Sequence, residues 1–162
     1  MTGRPAGHAG VMDPYGLLAM VLWATTAATP ASDDPSQRLV SVLERLDQRR
    51  SAAFRRADPA MLDRVYAHSS TLLGRDAATL GAYARRGLQV RDVDMTLLSL
   101  DVERYDPRTV RVRVVDRLDP VHVRRPGERW TALPVDLPTE RVIVLRHTFD
   151  GWRIVAAHRV AG

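Results

Sequence analysis

Six residues have the types and positions to do chemistry in a pocket: Tyr66, Tyr83, Asp116, His147, Trp152 and His158. Asp116 falls in phase with Val112 and Val114 on an alternating stretch, so it is expected to point to the apolar side. A carboxyl in apolar surroundings has its pKa raised and can give or take a proton near neutral pH. The competing reading pairs it with a neighbouring arginine such as Arg117, which would lower its pKa. That reading is favoured, because paired buried charges outnumber catalytic ones. Tyr66 and Tyr83 lie on apolar helical stripes, where a phenol either donates to a substrate oxygen or sits satisfied in the core. His147 and His158 share one face of a predicted final hairpin, about 13 Å apart at strand spacing, too far to hold one metal. Trp152 opens that face.

The elements that must position these residues follow from periodicity. Asp34-Pro35-Ser36-Gln37 is a helix start, with an N-cap, proline at the first helical position and Gln three residues on. Apolar residues then recur at Leu39, Leu43, Leu46, Ala53, Phe54 and Ala57, with Arg49, Arg50, Arg55 and Arg56 expected on the solvated face. Asp58-Pro59 opens a short second helix carrying Met61, Leu62, Val65 and Tyr66. A third helix is expected near 76–86, stopped by Gly87. From Val93 the pattern alternates, predicting strands over 93–104, 110–123, 141–149 and 152–160, with a short fifth at 130–133. Trp130, after the Arg124-Arg125-Pro126-Gly127 tip, is expected to cover a pocket mouth or anchor its loop.

Two hairpin registers can be argued. A three-residue loop, Asp106–Arg108, sets Val102 against Val112, Leu100 against Val114 and Leu98 against Asp116. It sets Glu103 against Arg111 and Asp101 against Arg113 on the other face. A two-residue loop would oppose Glu103 and Val112 and is rejected. In the last hairpin, Asp150-Gly151 as a two-residue turn opposes Phe149 to Trp152, His147 to Ile154, Leu145 to Ala156 and Ile143 to His158. That aromatic face is assigned to the core and Arg153 to the outside. Trp152→Ala is then expected to destabilise far more than Arg153→Ala.

The fold class is therefore α+β, with N-terminal helices packed on a curved antiparallel sheet of four to five strands. Residues 33–162 form one domain, an ordinary size for 162 residues that are 45% apolar and 27% charged. The chain has no cysteine, which excludes disulfides, a thiol nucleophile and Cys-ligated zinc. All 24 basic residues are arginine, which reads as the coding bias of a GC-rich genome. With most of them facing acids or water, the net charge of +5 argues poorly for nucleic-acid binding. Tyr15–Ala28 is an apolar run of 14 followed by small residues, too short to span a bilayer comfortably. Residues 1–32 are expected to be a signal peptide or N-terminal membrane anchor, or a leader with neither role. Export to the envelope or beyond is the corresponding expectation.

Ala57-Asp58-Pro59, Val65-Tyr66, Val110–Leu118 (VRVRVVDRL) and Val144–Ile154 with Asp150-Gly151-Trp152 resemble the nuclear transport factor 2-like superfamily. This is the cone-shaped fold of ketosteroid isomerase and the SnoaL-like polyketide cyclases. The resemblance spans roughly Ser36 to Val160 and looks most like small exported actinobacterial members with no assigned reaction. It implies a pocket between helices and sheet, open at one end, and enzymes of the fold use a pocket carboxylate like Asp116. Two functions stand open. The leading one is a non-catalytic, envelope-located module binding a partner protein or a small apolar ligand, with a homodimer through the sheet also open. The other is a cofactor-free isomerase, dehydratase or cyclase using Asp116 with a tyrosine or histidine. No cofactor, metal or nucleic acid is expected in either. The discriminator is the cone. A structural module fills it with Phe54, Leu100, Val114 and Trp152, whereas an enzyme leaves it open with polar groups converging.

Overall fold

Helix α1 (Pro35–Arg56) begins where its sequence says it must: the Asp34 carboxylate accepts from the Ser36 N–H at 3.0 Å, with proline in the first turn. In this computed structural model residues 34–160 are described, so the expected signal or anchor at 1–32 lies outside them. Leu39, Val42, Leu46, Ala53 and Phe54 form the buried stripe of α1. The helix ends at Ala57 in the left-handed region, and the Asp58 N–H closes back on the Ala53 carbonyl at 3.0 Å. Asp58 then caps a second element as expected, but Pro59–Arg64 winds as a 3₁₀ turn rather than an α-helix. Val65–Ala67 leaves that turn and runs beside the last strand, with the Ile154 N–H donating to Val65 O and the Ala67 N–H to Ile154 O, both at 2.9 Å. Helix α2 (Thr71–Arg85) starts five residues earlier than expected. It stops at Gly87, whose φ of +66° suits a residue without Cβ.

Among the described residues seven strands follow: β1 (Gln89–Arg91), β2 (Met95–Tyr105), β3 (Thr109–Leu118), β4 (His122–Arg124), β5 (Thr131–Ala132), β6 (Thr139–Thr148) and β7 (Gly151–Arg159). They form two antiparallel sheets, β2-β3-β6-β7 and the smaller β1-β4-β5. The predicted α+β class with helices on an antiparallel sheet is what the chain adopts. The small sheet was legible only in part, because its strands are two or three residues long. Trp130 anchors it: the guanidinium carbons of Arg91 and Arg124 each lie 4.5 Å from the centre of its ring. The core joins α1, the 3₁₀ turn, α2 and the inner face of the large sheet through Leu46, Leu62, Leu80, Val110, Val112, Val114 and Leu145.

Both hairpins correct the expected registers. The first has a two-residue turn, with Asp106 and Thr109 exchanging hydrogen bonds across Pro107-Arg108. Glu103 then bulges out, which restores Val102 opposite Val112, Leu100 opposite Val114 and Asp101 opposite Arg113. A second bulge at Leu98 puts Leu97, not Leu98, against Asp116. The bulge lets Glu103 reach two cations, Arg111 Nε at 2.6 Å and Arg113 Nε at 2.8 Å. Arg113 therefore pairs with Glu103 and Glu140 rather than Asp101.

In the last hairpin the turn is Phe149-Asp150, one residue earlier than expected, so His147 faces Trp152 and Leu145 faces Ile154. Phe149 sits at the tip, fully exposed rather than in the core. Val155 is skipped in the register, and this bulge reverses the facing beyond it. Ala157 therefore replaces Ala156 on the inner face, and His158 turns outward.

Arg153 is also corrected. It is only 8% exposed, and its guanidinium donates to the carbonyls of Asp63 (3.0 Å), Asp150 (3.3 Å) and Trp152 (3.0 Å). Trp152 is half-buried. Removing the arginine strands three carbonyls, and removing the indole empties only a partly filled site. The expected result is thus losses of similar size for Arg153→Ala and Trp152→Ala, on the order of 2–3 kcal/mol each. Urea unfolding of the two variants checks it. A near-neutral Arg153→Ala would return this arginine to the solvated face.

Candidate functional site

Between α1, α2 and the inner face of the large sheet lies a cavity of about 350 Å³. Leu43, Leu46, Val65, Leu72, Leu97 and Ile143 are among its apolar walls. Phe54 and Val114 are packed in the core, and the cone nevertheless stays open.

Six of its polar groups come from five parts of the chain. Asp47 and Arg50 project from α1, one turn apart. Asp76 comes from α2, Tyr66 from the segment beside β7, Asp116 from β3 and Arg141 from β6. They form two charged pairs and one carboxylate, Asp47, without an ion pair among the described residues. In the first pair Arg50 Nε meets Asp76 Oδ2 at 2.7 Å, and the Tyr66 hydroxyl donates to the same oxygen at 2.7 Å. The Arg50 guanidinium also stacks 4.8 Å from the centre of the Phe54 ring. Burial works against the Arg50 charge, yet Asp76 and its neighbours hold its pKa above the ordinary range. Burial likewise raises the Tyr66 pKa, so Tyr66 remains a phenol and a donor.

In the second pair Arg141 Nε donates to Asp116 Oδ1 at 2.9 Å, and Arg141 Nη2 also contacts that oxygen. Val114 is the register partner of Arg141, so Asp116 is its diagonal neighbour, within reach of a long side chain. Asp116 is 6% exposed. Burial raises its pKa, the Arg141 pair lowers it, Asp136 raises it again, and the balance lies above the usual carboxylate value. The expected ion pair is therefore present, with Arg141 in place of Arg117, but the expected lowering of the pKa is not. Arg117 instead lies near Asp119, at 3.7 Å.

Asp47 is the acid among these six that belongs to neither pair. Its Oδ2 accepts the Met95 N–H at 2.8 Å. Burial pushes its pKa from 3.8 up to about 6, against the lowering effects of that hydrogen bond and of Arg50. Asp94 and Asp116 add to the rise. A carboxyl poised there is largely ionised at neutral pH and a far stronger base than an exposed aspartate.

Of the six residues singled out in sequence, Tyr66 and Asp116 line the cavity and the other four do not. Tyr83 is half-buried near the end of α2. His147 lies beyond the cavity, its ring edge-on to Trp152 at 5.0 Å, and His158 is exposed behind the Val155 bulge. The sequence reading missed Asp47, Arg50, Asp76 and Arg141. A signal existed for two of them. Asp47 follows Leu43 by four residues and Arg50 follows Leu46 by four, so both continue the apolar stripe. The solvated position expected for Arg50 is thereby corrected. No group of three or more metal-ligating side chains occurs among the described residues.

No protein-family model matches the chain, and no curated protein matches it. Solved structures do. Aln2 from a Streptomyces species is 17% identical with a TM-score of 0.52, over 77% of this chain and 91% of that one. The intermembrane space region of the chloroplast protein ARC6 is 16% identical with a TM-score of 0.50, over 78% and 97%. An NTF2-like protein from Cytophaga hutchinsonii is 15% identical with a TM-score of 0.48, over 76% and 98%. The chain shares its fold with Aln2 and with the ARC6 region, and this α+β arrangement of helices on antiparallel sheet, the cone expected in sequence, encloses a cavity.

Proposed function

We propose that the domain binds a small, largely apolar molecule in the cone and moves a proton on it without a cofactor, as an isomerase or dehydratase does. The observation that supports this over a purely structural module is Asp47, a carboxyl without an ion pair among the described residues, raised to about 6 in an open, apolar-walled cavity. In this reading Asp47 takes a proton from a carbon next to a carbonyl. Arg141, whose Nη1 has no acceptor among the described residues, donates to the oxygen that gains charge. Asp116 holds the Arg141 fork, and Asp76 with Tyr66 holds Arg50, so both cations are fixed before the substrate arrives. The base differs from the one expected in sequence: Asp116 is a positioning residue and Asp47 does the transfer. Residues 1–32 fall outside the described structure, and export remains part of the proposal on the strength of their sequence alone. Among the described residues no helix is long and apolar enough to cross a membrane.

The test is a panel of cyclic ketones, enones and β-hydroxycarbonyl compounds, screened by NMR for binding, for exchange of the α-proton with deuterium, and for loss of water. The wild type should bind at least one compound and exchange or dehydrate it. Asp47→Asn should keep the binding and lose about 10²–10⁴-fold in rate. Binding without any reaction across the panel would leave a ligand-binding module and remove the catalytic assignment.

A further inference from the structure

A second cleft, of about 870 Å³, opens where the 3₁₀ turn and the segment after it meet the turn end of β6 and β7. It shares only Tyr66 with the cavity above, and its character is different. Arg49 from α1, Arg64 from the 3₁₀ turn, Arg146 from β6 and Arg153 from β7 line it, facing two acids, Asp63 and Asp150. Counting the arginines and aspartates alone, four cations against two anions leave a net charge of +2.

Three features of these arginines are unusual. Arg146 and Arg153 are direct cross-strand partners, a placement in which like charges repel. Arg153 is buried, yet its hydrogen bonds go to neutral carbonyls, and its Nη2 has no acceptor among the described residues. A buried guanidinium without a carboxylate is costly unless an anion completes it. Arg64 and Arg146 are exposed and make no ion pair among the described residues, although Arg50, Arg111, Arg113 and Arg141 all do. The Arg49 Nη1 donates to the Arg64 carbonyl at 3.3 Å, which ties two of the four walls together.

We propose that this cleft is a binding site for a phosphomonoester or diphosphate group. A phosphate dianion matches the net charge of the cleft, and guanidinium forks match its oxygens in geometry. The Ser69 hydroxyl and the His68 ring are further donors on the same wall. The cleft is large enough for a group carried on an organic body, so a soluble ester and a lipid headgroup are both sources of the same chemistry.

The test uses the full-length chain, calorimetry at low salt, and two kinds of probe. Pyrophosphate and glycerol 3-phosphate serve as soluble ligands, and phosphatidic acid vesicles, with phosphatidylcholine vesicles as control, present the lipid headgroup. Saturable binding of one equivalent is expected. The double variant Arg64→Gln/Arg146→Gln should weaken it at least about tenfold with an unchanged melting curve, because both side chains are exposed. Arg111→Gln, which removes a charge elsewhere, should leave it as it was, and so should Asp47→Asn. Binding of the soluble probes alone assigns a free ester, and binding of the vesicles as well assigns a headgroup. Absence of saturation with every probe at millimolar concentration overturns the proposal. Equal weakening by Arg111→Gln does so too, by showing mere attraction to a basic protein.

Discussion

Asp47→Asn is expected to make the domain more stable above neutrality and to change little in acid, while stopping proton transfer. The Asp47 carboxyl has a pKa of about 6 in the fold and 3.8 when exposed. The folded state therefore binds the proton more tightly than the unfolded chain. As pH rises through that window, the unfolded chain releases its proton first, and stability falls until the folded carboxyl has also ionised. Above about pH 6 the full penalty is present, at most about 3 kcal/mol for a shift of this size. Asparagine keeps an oxygen for the Met95 N–H and carries no such penalty. Urea unfolding at about pH 4 and about pH 8 should show the two proteins nearly equal at the first and the variant ahead at the second. A pH-independent difference between them would mean that Asp47 is not desolvated and is an ordinary acid. Gaining stability while losing activity is the mark of a group held at the expense of the fold.

The second large effect is expected at Arg141. Arg141→Ala leaves Asp116, nine-tenths buried, with no cation beside it. Breaking a buried pair from one side costs about 3–5 kcal/mol, because the remaining charge is neither solvated nor matched. The loss should be largest at neutral pH and shrink in acid. Without the arginine, the folded-state pKa of Asp116 rises further above its unfolded value, so the variant gains back stability as pH falls toward that value. Replacing both partners, Asp116→Asn with Arg141→Met, should recover most of the loss. A double-variant cycle at two pH values measures this. If Arg141→Ala costs no more than an exposed arginine would, the pair contributes only positioning and the cavity floor is wetter than its burial implies.

Much of the fold was legible because it is written in local chemistry. Asp34-Pro35 and Asp58-Pro59 can do little but start a turn of helix, and Gly87 can readily take the φ that ends one. Alternation over Val110–Asp116 placed Val112, Val114 and Asp116 on one face, and all three are buried together. What alternation cannot reveal is a bulge. One extra residue at Leu98, Glu103 or Val155 inverts the facing of everything beyond it while leaving the pattern plausible on either side. For that reason His158 turned out. Phe149 moved to the tip because the turn falls one residue earlier, and Arg153 is buried because the carbonyl of Asp63 comes down on it, a tertiary contact that alternation does not contain.

The sequence alone determined which residues are too short, too polar or too constrained to be anywhere but a cap, a turn or a strand face. It also placed one carboxyl, Asp116, in phase with the apolar face of its strand. Only the tertiary structure decided which cation met it. Strand order brings β6 beside β3, which sets Arg141 against Asp116 across 25 residues of chain. Helix packing sets Arg50 against Asp76 across 26. The base emerged in the same way. Asp47 is raised because α1 lies where it buries the carboxyl near two other acids, and burial is a property of neighbours that no local spacing contains.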